Sequence, residues 1–308
     1  MRTETIKFES EGTPCAGTLY VPEGAGPFPA VLMSHGFGAV RGMRNIPEVG
    51  TLLAEAGILA LAIDYRYLGD SGGEPRQQVL PHAQREDLGN ALSWLEQRSD
   101  VRADRLGLWG TSFSGGQSIR VTAFDRRIKA LVAQVPATDL FRQIRFEAPP
   151  AQRKLLDDTI AAERPRHIAG AAPATMKLAD VEGAPSVFGV ESLAWSTHNA
   201  AEHPTFHNAV TVTSLEQALQ TAPGDYIAAV APTPMLVIMA EPDKTVLTKF
   251  TKAAFAASGE PKQLITYQGL HYDAYDKPAI LQQVSTAARD WFVTHLLNQS
   301  SALAGHAG

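Results

Sequence analysis

Two serines one residue apart, in LGLWGTSFSGGQS, are the residues of this 308-residue chain best suited to nucleophilic chemistry. A serine exposed on a sharp strand-to-helix turn follows the pattern G-x-S-x-G, because the residues two before and two after the tip approach each other closely and must be small. Read from Gly110, the tip is Ser112 and Ser114 stands where the last glycine belongs. Read from Ser112, the tip is Ser114 and Gly116 closes the pattern. The apolar stretch RLGLW ends at Trp109, so a strand ending there puts Gly110 two before the tip and favours Ser112. A strand running on through Thr111 would favour Ser114. The bland alternative is a small-residue turn with no chemistry.

A serine hydroxyl needs a base to take its proton, and the base needs an acid to orient it. Behind the apolar run PMLVIM comes AEPDKTV, which places Asp243 in a loop leaving a strand. Behind QLITY comes QGLHYDAY, which places His271 in the next such loop. The order Ser, Asp, His matches the order found in elbow-type enzymes. Glu241 and Asp139 are rival acids. Asp273 lies too near His271 in sequence to orient it easily, and His82 and His295 suit surface positions on helices. Acyl chemistry further requires donors for an oxyanion. The turn His35-Gly36-Phe37-Gly38 follows the apolar run FPAVLM, so the Phe37 N–H is one candidate and the Phe113 N–H, next to Ser112, is the other. His35 reads as a structural hydrogen-bonder in that turn, and Arg41 as a solvated arginine rather than an anion ligand.

FPAVLMS has the continuous apolar character of a strand buried on both faces, ILALAI reads as the next buried strand, and RLGLW and IKALVAQV read as further strands. They alternate with helical stretches: IPEVGTLLAEAG, PHAQREDLGNALSWLEQ with Leu88, Leu92 and Leu95 at helical spacing, and SGGQSIRVTAF. This is the pattern of a mostly parallel sheet flanked by helices. It breaks over residues 137–231, which hold helical pieces, Pro/Gly joints and no buried strand run. It then resumes with PMLVIMAE, a helix expected from Lys244 to Ala257, QLITYQG and a last helix. The expected organisation is a core formed by 1–136 and 232–300, a helical cap at 137–231 and a flexible tail at 301–308.

With 44% hydrophobic and 19% charged residues, the composition is that of an ordinary globular enzyme. A net charge of -5 without a basic run argues against a nucleic-acid partner. The single Cys15 excludes an internal disulfide and a cysteine-based zinc site, and reads as a buried thiol. No stretch has the length and apolarity of a membrane span or signal, so a cytoplasmic location without membrane attachment is expected.

HGFG, DYRYLGDSGG, DVRADRLGLWGTSFSGG, AEPDKTV and GLHYDAY together, in this order, resemble the α/β-hydrolase superfamily over almost the whole chain outside the cap. Within it the chain is most similar to the branch of dienelactone-hydrolase-like and acyl-peptidase-like proteins, which includes polyketide thiohydrolases and transferases. The resemblance implies an eight-stranded α/β-hydrolase fold with a cap inserted after the strand that follows the elbow helix. It implies Ser112 as nucleophile, Asp243 as acid, His271 as base, and Phe37 and Phe113 as oxyanion donors. Dienelactone hydrolase itself uses a cysteine, so its reaction does not carry over. Haloalkane dehalogenases and epoxide hydrolases place an aspartate at the elbow, so Ser112 disfavours both reactions.

The expected function is therefore cofactor-independent serine hydrolysis of an ester, thioester or lactone of a small-molecule acyl substrate. Carbon–carbon bond hydrolysis or acyl transfer with the same residues is the alternative, and a non-catalytic ligand binder is the second class. Phe141, Phe146, Met176, Phe188, Trp195 and Phe206 of the cap are candidates to line an apolar pocket. His198, His203 and His207 could suggest a metal, but Pro204 interrupts the helix that would align two of them, so none is expected. A homodimer stays open.

Overall fold

The computed structural model describes residues 1–298. The expected tail, 301–308, and the last two residues of the expected core segment, 299 and 300, lie outside the described residues. Eight strands form one sheet: β1 (Arg2–Ser10), β2 (Thr13–Val21), β3 (Phe28–Ser34), β4 (Leu59–Ile63), β5 (Val101–Thr111), β6 (Ile128–Gln134), β9 (Met235–Glu241) and β10 (Lys262–Gln268). Two further short strands, β7 (Thr175–Lys177) and β8 (Ala209–Thr211), pair separately. The order in the large sheet is β1-β2-β4-β3-β5-β6-β9-β10. The pairs β1–β2 and β2–β4 are antiparallel, and all pairs from β4 through β3 to β10 are parallel.

The central strands are what their composition dictates. Every residue of β4 (LALAI) is buried, as are six of seven in β3, because helices cover both faces. The outermost strand β1 instead alternates between exposed and more buried positions, as a strand with one solvated face must. Helix α1 (Asn45–Glu55) and the helix Pro278–Phe292 cover one face, and α2 (Pro81–Glu96) and α3 (Phe113–Phe124) the other. Leu88, Leu92 and Leu95 of α2 are fully buried, as their spacing predicts. Trp109, Tyr65 and Phe292 are among the largest fully buried side chains. Cys15, on β2, is fully buried and desolvation pushes its thiol up to about 12.

Strand β3 lies between β4 and β5, so the chain winds outward to opposite sides from these neighbours. Such a switch leaves a crevice at the carboxyl ends of the strands, where open α/β sheets carry their sites. The loops after β3, β5, β9 and β10 all open on that edge. Between β6 and β9 the chain forms helices Pro150–Ile168, Leu193–Glu202 and Val212–Ala218 together with the β7–β8 ribbon. The ribbon adds a short two-stranded element to a segment expected to be mostly helical. Three-residue strands are too short to show an alternating or continuous apolar pattern. Among the described residues no helix is long and apolar enough to cross a membrane.

Candidate active site

Ser112 stands between β5 and α3 with φ 56° and ψ -121°, a conformation that costs a non-glycine residue on the order of 1–3 kcal/mol and occurs where the surroundings enforce it. The enforcement is visible in hydrogen bonds. The Ser112 N–H donates to Gln134 O at 2.8 Å, while the Ser112 carbonyl accepts from Gly116 N at 3.3 Å and Ala137 N at 2.9 Å. A Cβ at Gly110 would fall 2.5 Å from the Ser114 carbonyl oxygen, which shows why the residues flanking the tip must be small. Strand β5 does run through Thr111, the very extension that a tip at Ser114 seemed to require. The strand's end therefore does not discriminate between the two serines, because the hydrogen-bonded ladder outlasts the apolar run by two residues. Contacts do discriminate: Ser112 Oγ meets a histidine, whereas Ser114 is fully buried and hydrogen-bonds Tyr65 and the His35 carbonyl.

His271 Nε2 lies 3.0 Å from Ser112 Oγ, and His271 Nδ1 lies 2.8 Å from Asp243 Oδ2. A carboxylate oxygen only accepts, so the proton on this side sits on Nδ1 and the Nε2 lone pair faces the serine hydroxyl. The other carboxylate oxygen, Asp243 Oδ1, accepts from the N–H groups of Thr245 and Val246, each at 2.9 Å. Both side chains are almost completely buried. The acid loop is wound around this carboxylate, which is why the expected helix from Lys244 begins only at Thr248. The rival acids are engaged elsewhere. Glu241 pairs with Lys252, Asp139 caps the turn at Arg142, and Asp273 accepts from Leu270 N and Lys277. Tyr272 and Tyr275 wall the imidazole, with ring centroids 5.2 and 5.8 Å from it, and burial pushes both phenols well up. Tyr275 also shares a hydrogen bond with Thr111, 2.9 Å away. Neither tyrosine stood out in the sequence beyond its nearness to His271.

The turn after β3 presses against the elbow: a Cβ at Gly36 would lie 3.1 Å from Ser112 Cβ. Its Gly36 carbonyl accepts from Ala39 N at 3.2 Å and from His35 Nδ1 at 2.9 Å. In a trans peptide the C=O and the following N–H point opposite ways, so holding the Gly36 carbonyl also sets the direction of the Phe37 N–H. His35 is fully buried, and desolvation holds its pKa below the ordinary value, in keeping with a neutral structural role. Arg41 is not solvated as expected; its guanidinium pairs with Asp64 and Asp70 and ties the segment after this turn to the loop after β4.

Ser112 opens into a cavity of about 310 Å³ lined by Phe37, Phe113, Met176 and Phe188 and by aliphatic side chains including Leu140, Ile144, Leu156, Leu215 and Val246. Phe37 and Phe113 meet edge to face at 5.2 Å. Four of the aromatic residues expected to line this cavity do not. Phe141 and Phe146 are exposed and pack on each other, because the turn that carries them directs Leu140 and Ile144 inward instead. Phe206 is buried against Trp195. Trp195 lines a much smaller cleft that also borders Ser112 and is shared with His35, Asn45, Tyr272 and Tyr275. Aliphatic residues dominate the larger wall, and isolated leucines in a helical segment carry no sequence signal separating pocket from packing.

Known proteins resemble the chain over most of its length. Over 288 residues the chain is 30% identical to thiohydrolase apmlB of Arthrinium phaeospermum, covering 88% of this chain and 90% of that protein. Over 261 residues it is 26% identical to polyketide transferase grgF of Penicillium sp, covering 84% and 85% respectively. The solved structure of the alpha/beta hydrolase GrgF from Penicillium sp. sh18 superposes with a TM-score of 0.82 over 96% of this chain and 100% of that one, at 23% identity, which speaks for the fold. Residues 11–273 match the family described as X-Pro dipeptidyl-peptidase (S15 family). With its mostly parallel sheet, its strained serine turn and a family match over most of its length, the chain belongs to the S15 family of α/β hydrolases.

Proposed function

We propose that this protein is a serine hydrolase that cleaves thioesters or esters of an apolar acyl group through an acyl-enzyme on Ser112. The observation that carries this reading is the continuous link Asp243–His271–Ser112, ending in a strained serine at the mouth of an apolar cavity. His271 Nε2 takes the Ser112 hydroxyl proton as Oγ attacks the substrate carbonyl. Electrons move onto the carbonyl oxygen, which is received by the N–H groups of Phe37 and Phe113. His271 then delivers its proton to the leaving sulfur or oxygen, and the carbon–heteroatom bond breaks. A water molecule gives a proton to His271, attacks the acyl-enzyme, and the acid leaves as Ser112 recovers its proton. Asp243 keeps Nδ1 protonated throughout and stabilises the imidazolium that forms twice per cycle.

Segment 137–231 acts in this reading as a lid that supplies most of the cavity wall and excludes water from the acyl chain. A thioester is favoured among acyl donors by the relative named a thiohydrolase, and transfer to another acceptor is the second reading, supported by the relative named a polyketide transferase. Thioesters and p-nitrophenyl esters of increasing acyl length, with and without an alcohol or amine acceptor, test both. Release of free acid with the acceptor ignored supports hydrolysis; acyl-acceptor product at the expense of acid supports transfer. An X-Pro p-nitroanilide belongs in the panel because of the family's name, and preferential cleavage of it over every acyl ester and thioester would overturn the proposed substrate class.

A further inference from the structure

In this chain the last position of the elbow pattern holds Ser114 rather than glycine, and its hydroxyl is employed. Ser114 Oγ is within hydrogen-bond reach of the His35 carbonyl oxygen and lies 2.8 Å from Tyr65 Oη. A carbonyl can only accept, so Ser114 must donate its single proton to His35 O, and Tyr65 must donate to Ser114. The direction of the chain is thereby settled: Tyr65 O–H to Ser114 Oγ, and Ser114 O–H to the His35 carbonyl. All three residues are fully buried, so the groups have no water to fall back on. Tyr65 also packs edge to face on the His35 ring, with centroids 4.9 Å apart.

These contacts bracket Gly36. Ser114 holds the peptide before it through the His35 carbonyl; the His35 ring and Ala39 N–H hold the peptide after it through the Gly36 carbonyl. The second of these peptides carries the Phe37 N–H. The Ser114 backbone carbonyl crowds Gly110, and its side chain reaches the first residue after β3, so one residue joins the turn bearing Ser112 to the turn bearing Phe37. We infer that Ser114 is a positioning residue: with Tyr65 behind it, it sets the distance between the nucleophile and the Phe37 oxyanion donor. It touches neither substrate nor reacting atoms. The inference rests on the serine-hydrolase reading above and goes beyond it by assigning the second serine a task in transition-state stabilisation.

Ser114→Ala, Tyr65→Phe and the double variant test it, with Ser112→Ala as the reference for the reading itself. A 1 Å misplacement can cost on the order of 100-fold in rate, so a loosened tether is expected to lower kcat about tenfold in Ser114→Ala, with KM within twofold. Affinity for an acyl trifluoromethyl ketone, whose adduct places an oxyanion in the hole, is expected to fall in parallel with kcat/KM. Because Tyr65 acts through Ser114, the double variant is expected to lose no more than Ser114→Ala alone. A merely structural role would lower the melting temperature without this kcat-only pattern or the parallel loss of inhibitor affinity. Should Ser114→Ala fail to fold, Tyr65→Phe keeps the ring on His35 and carries the test alone, with a severalfold kcat loss expected. Wild-type kcat in the folded variants, alongside an inactive Ser112→Ala, overturns the positioning role and leaves the reading standing. Undiminished turnover in Ser112→Ala overturns the reading, and the role of Ser114 with it.

Discussion

Replacing Asp243 by asparagine should disable the protein without disturbing its fold, and the reason lies in which oxygen does what. Oδ1 receives two backbone N–H groups and Oδ2 receives His271 Nδ1. An asparagine has one oxygen and one NH₂. Placing the oxygen at Oδ2 would aim the NH₂ at the N–H groups of Thr245 and Val246, leaving two buried donors facing two more. The oxygen therefore takes the Oδ1 position and the NH₂ faces His271. Imidazole answers by accepting at Nδ1 and carrying its proton on Nε2, so it can no longer take one from Ser112. Loss of the correct tautomer in an otherwise intact site costs on the order of 10⁴ in kcat, about 5 kcal/mol of barrier. Initial rates on an activated ester, beside urea denaturation, read both halves of the expectation: activity falls by that order while the unfolding transition stays cooperative and stability drops by no more than about 3 kcal/mol. A folded Asp243→Asn protein that retains more than a tenth of wild-type kcat would refute the argument that this carboxylate orients the base.

Gly36→Ala introduces a Cβ 3.1 Å from Ser112 Cβ, so the turn after β3 must retreat by a few tenths of an ångström; if its Phe37 N–H serves the oxyanion as proposed, kcat on esters falls by roughly tenfold, with KM little changed. Leu156→Trp narrows the 310 Å³ cavity, and a series of acyl lengths should show kcat/KM collapsing for long chains while acetyl and butyryl substrates keep wild-type values. Cys15, fully buried and with its pKa raised to about 12 by desolvation, should ignore a disulfide reagent at pH 8 for as long as the fold persists, and should react stoichiometrically once urea unfolds the chain.

The parts of this fold and site that were legible in the sequence are those where chemistry restricts residue type. The runs VLMS, RLGLW and LVIMA read as buried strands and QLITY as one more strand, and each ends at the sheet edge, so Asp243 and His271 could be placed beside Ser112 before any distance was known. Glycines at 36, 38 and 110 marked turns of close approach. What stayed hidden depends on rotation and packing rather than on type. Leu140 and Phe141 are neighbours in one short helical turn, and only the direction of that turn decides that the leucine enters the cavity and the phenylalanine faces water. Arg41 read as solvated because its partners, Asp64 and Asp70, lie beyond α1 and β4. The end of β5 misled in a third way. Its ladder continues past the apolar residues, so hydrophobicity understates the strand, and the choice between Ser112 and Ser114 rests on contacts with His271, Tyr65 and His35 that no local pattern encodes.

Fluorophosphonate labelling of the pure protein, with the adduct mapped by mass spectrometry in wild type and in His271→Ala, tests the proposed Ser112–His271 pair most directly. A single adduct on Ser112 is expected, reduced at least a hundredfold in rate when His271 is absent. An adduct on Ser114, or labelling of Ser112 that proceeds unchanged without His271, would contradict the proposed pair.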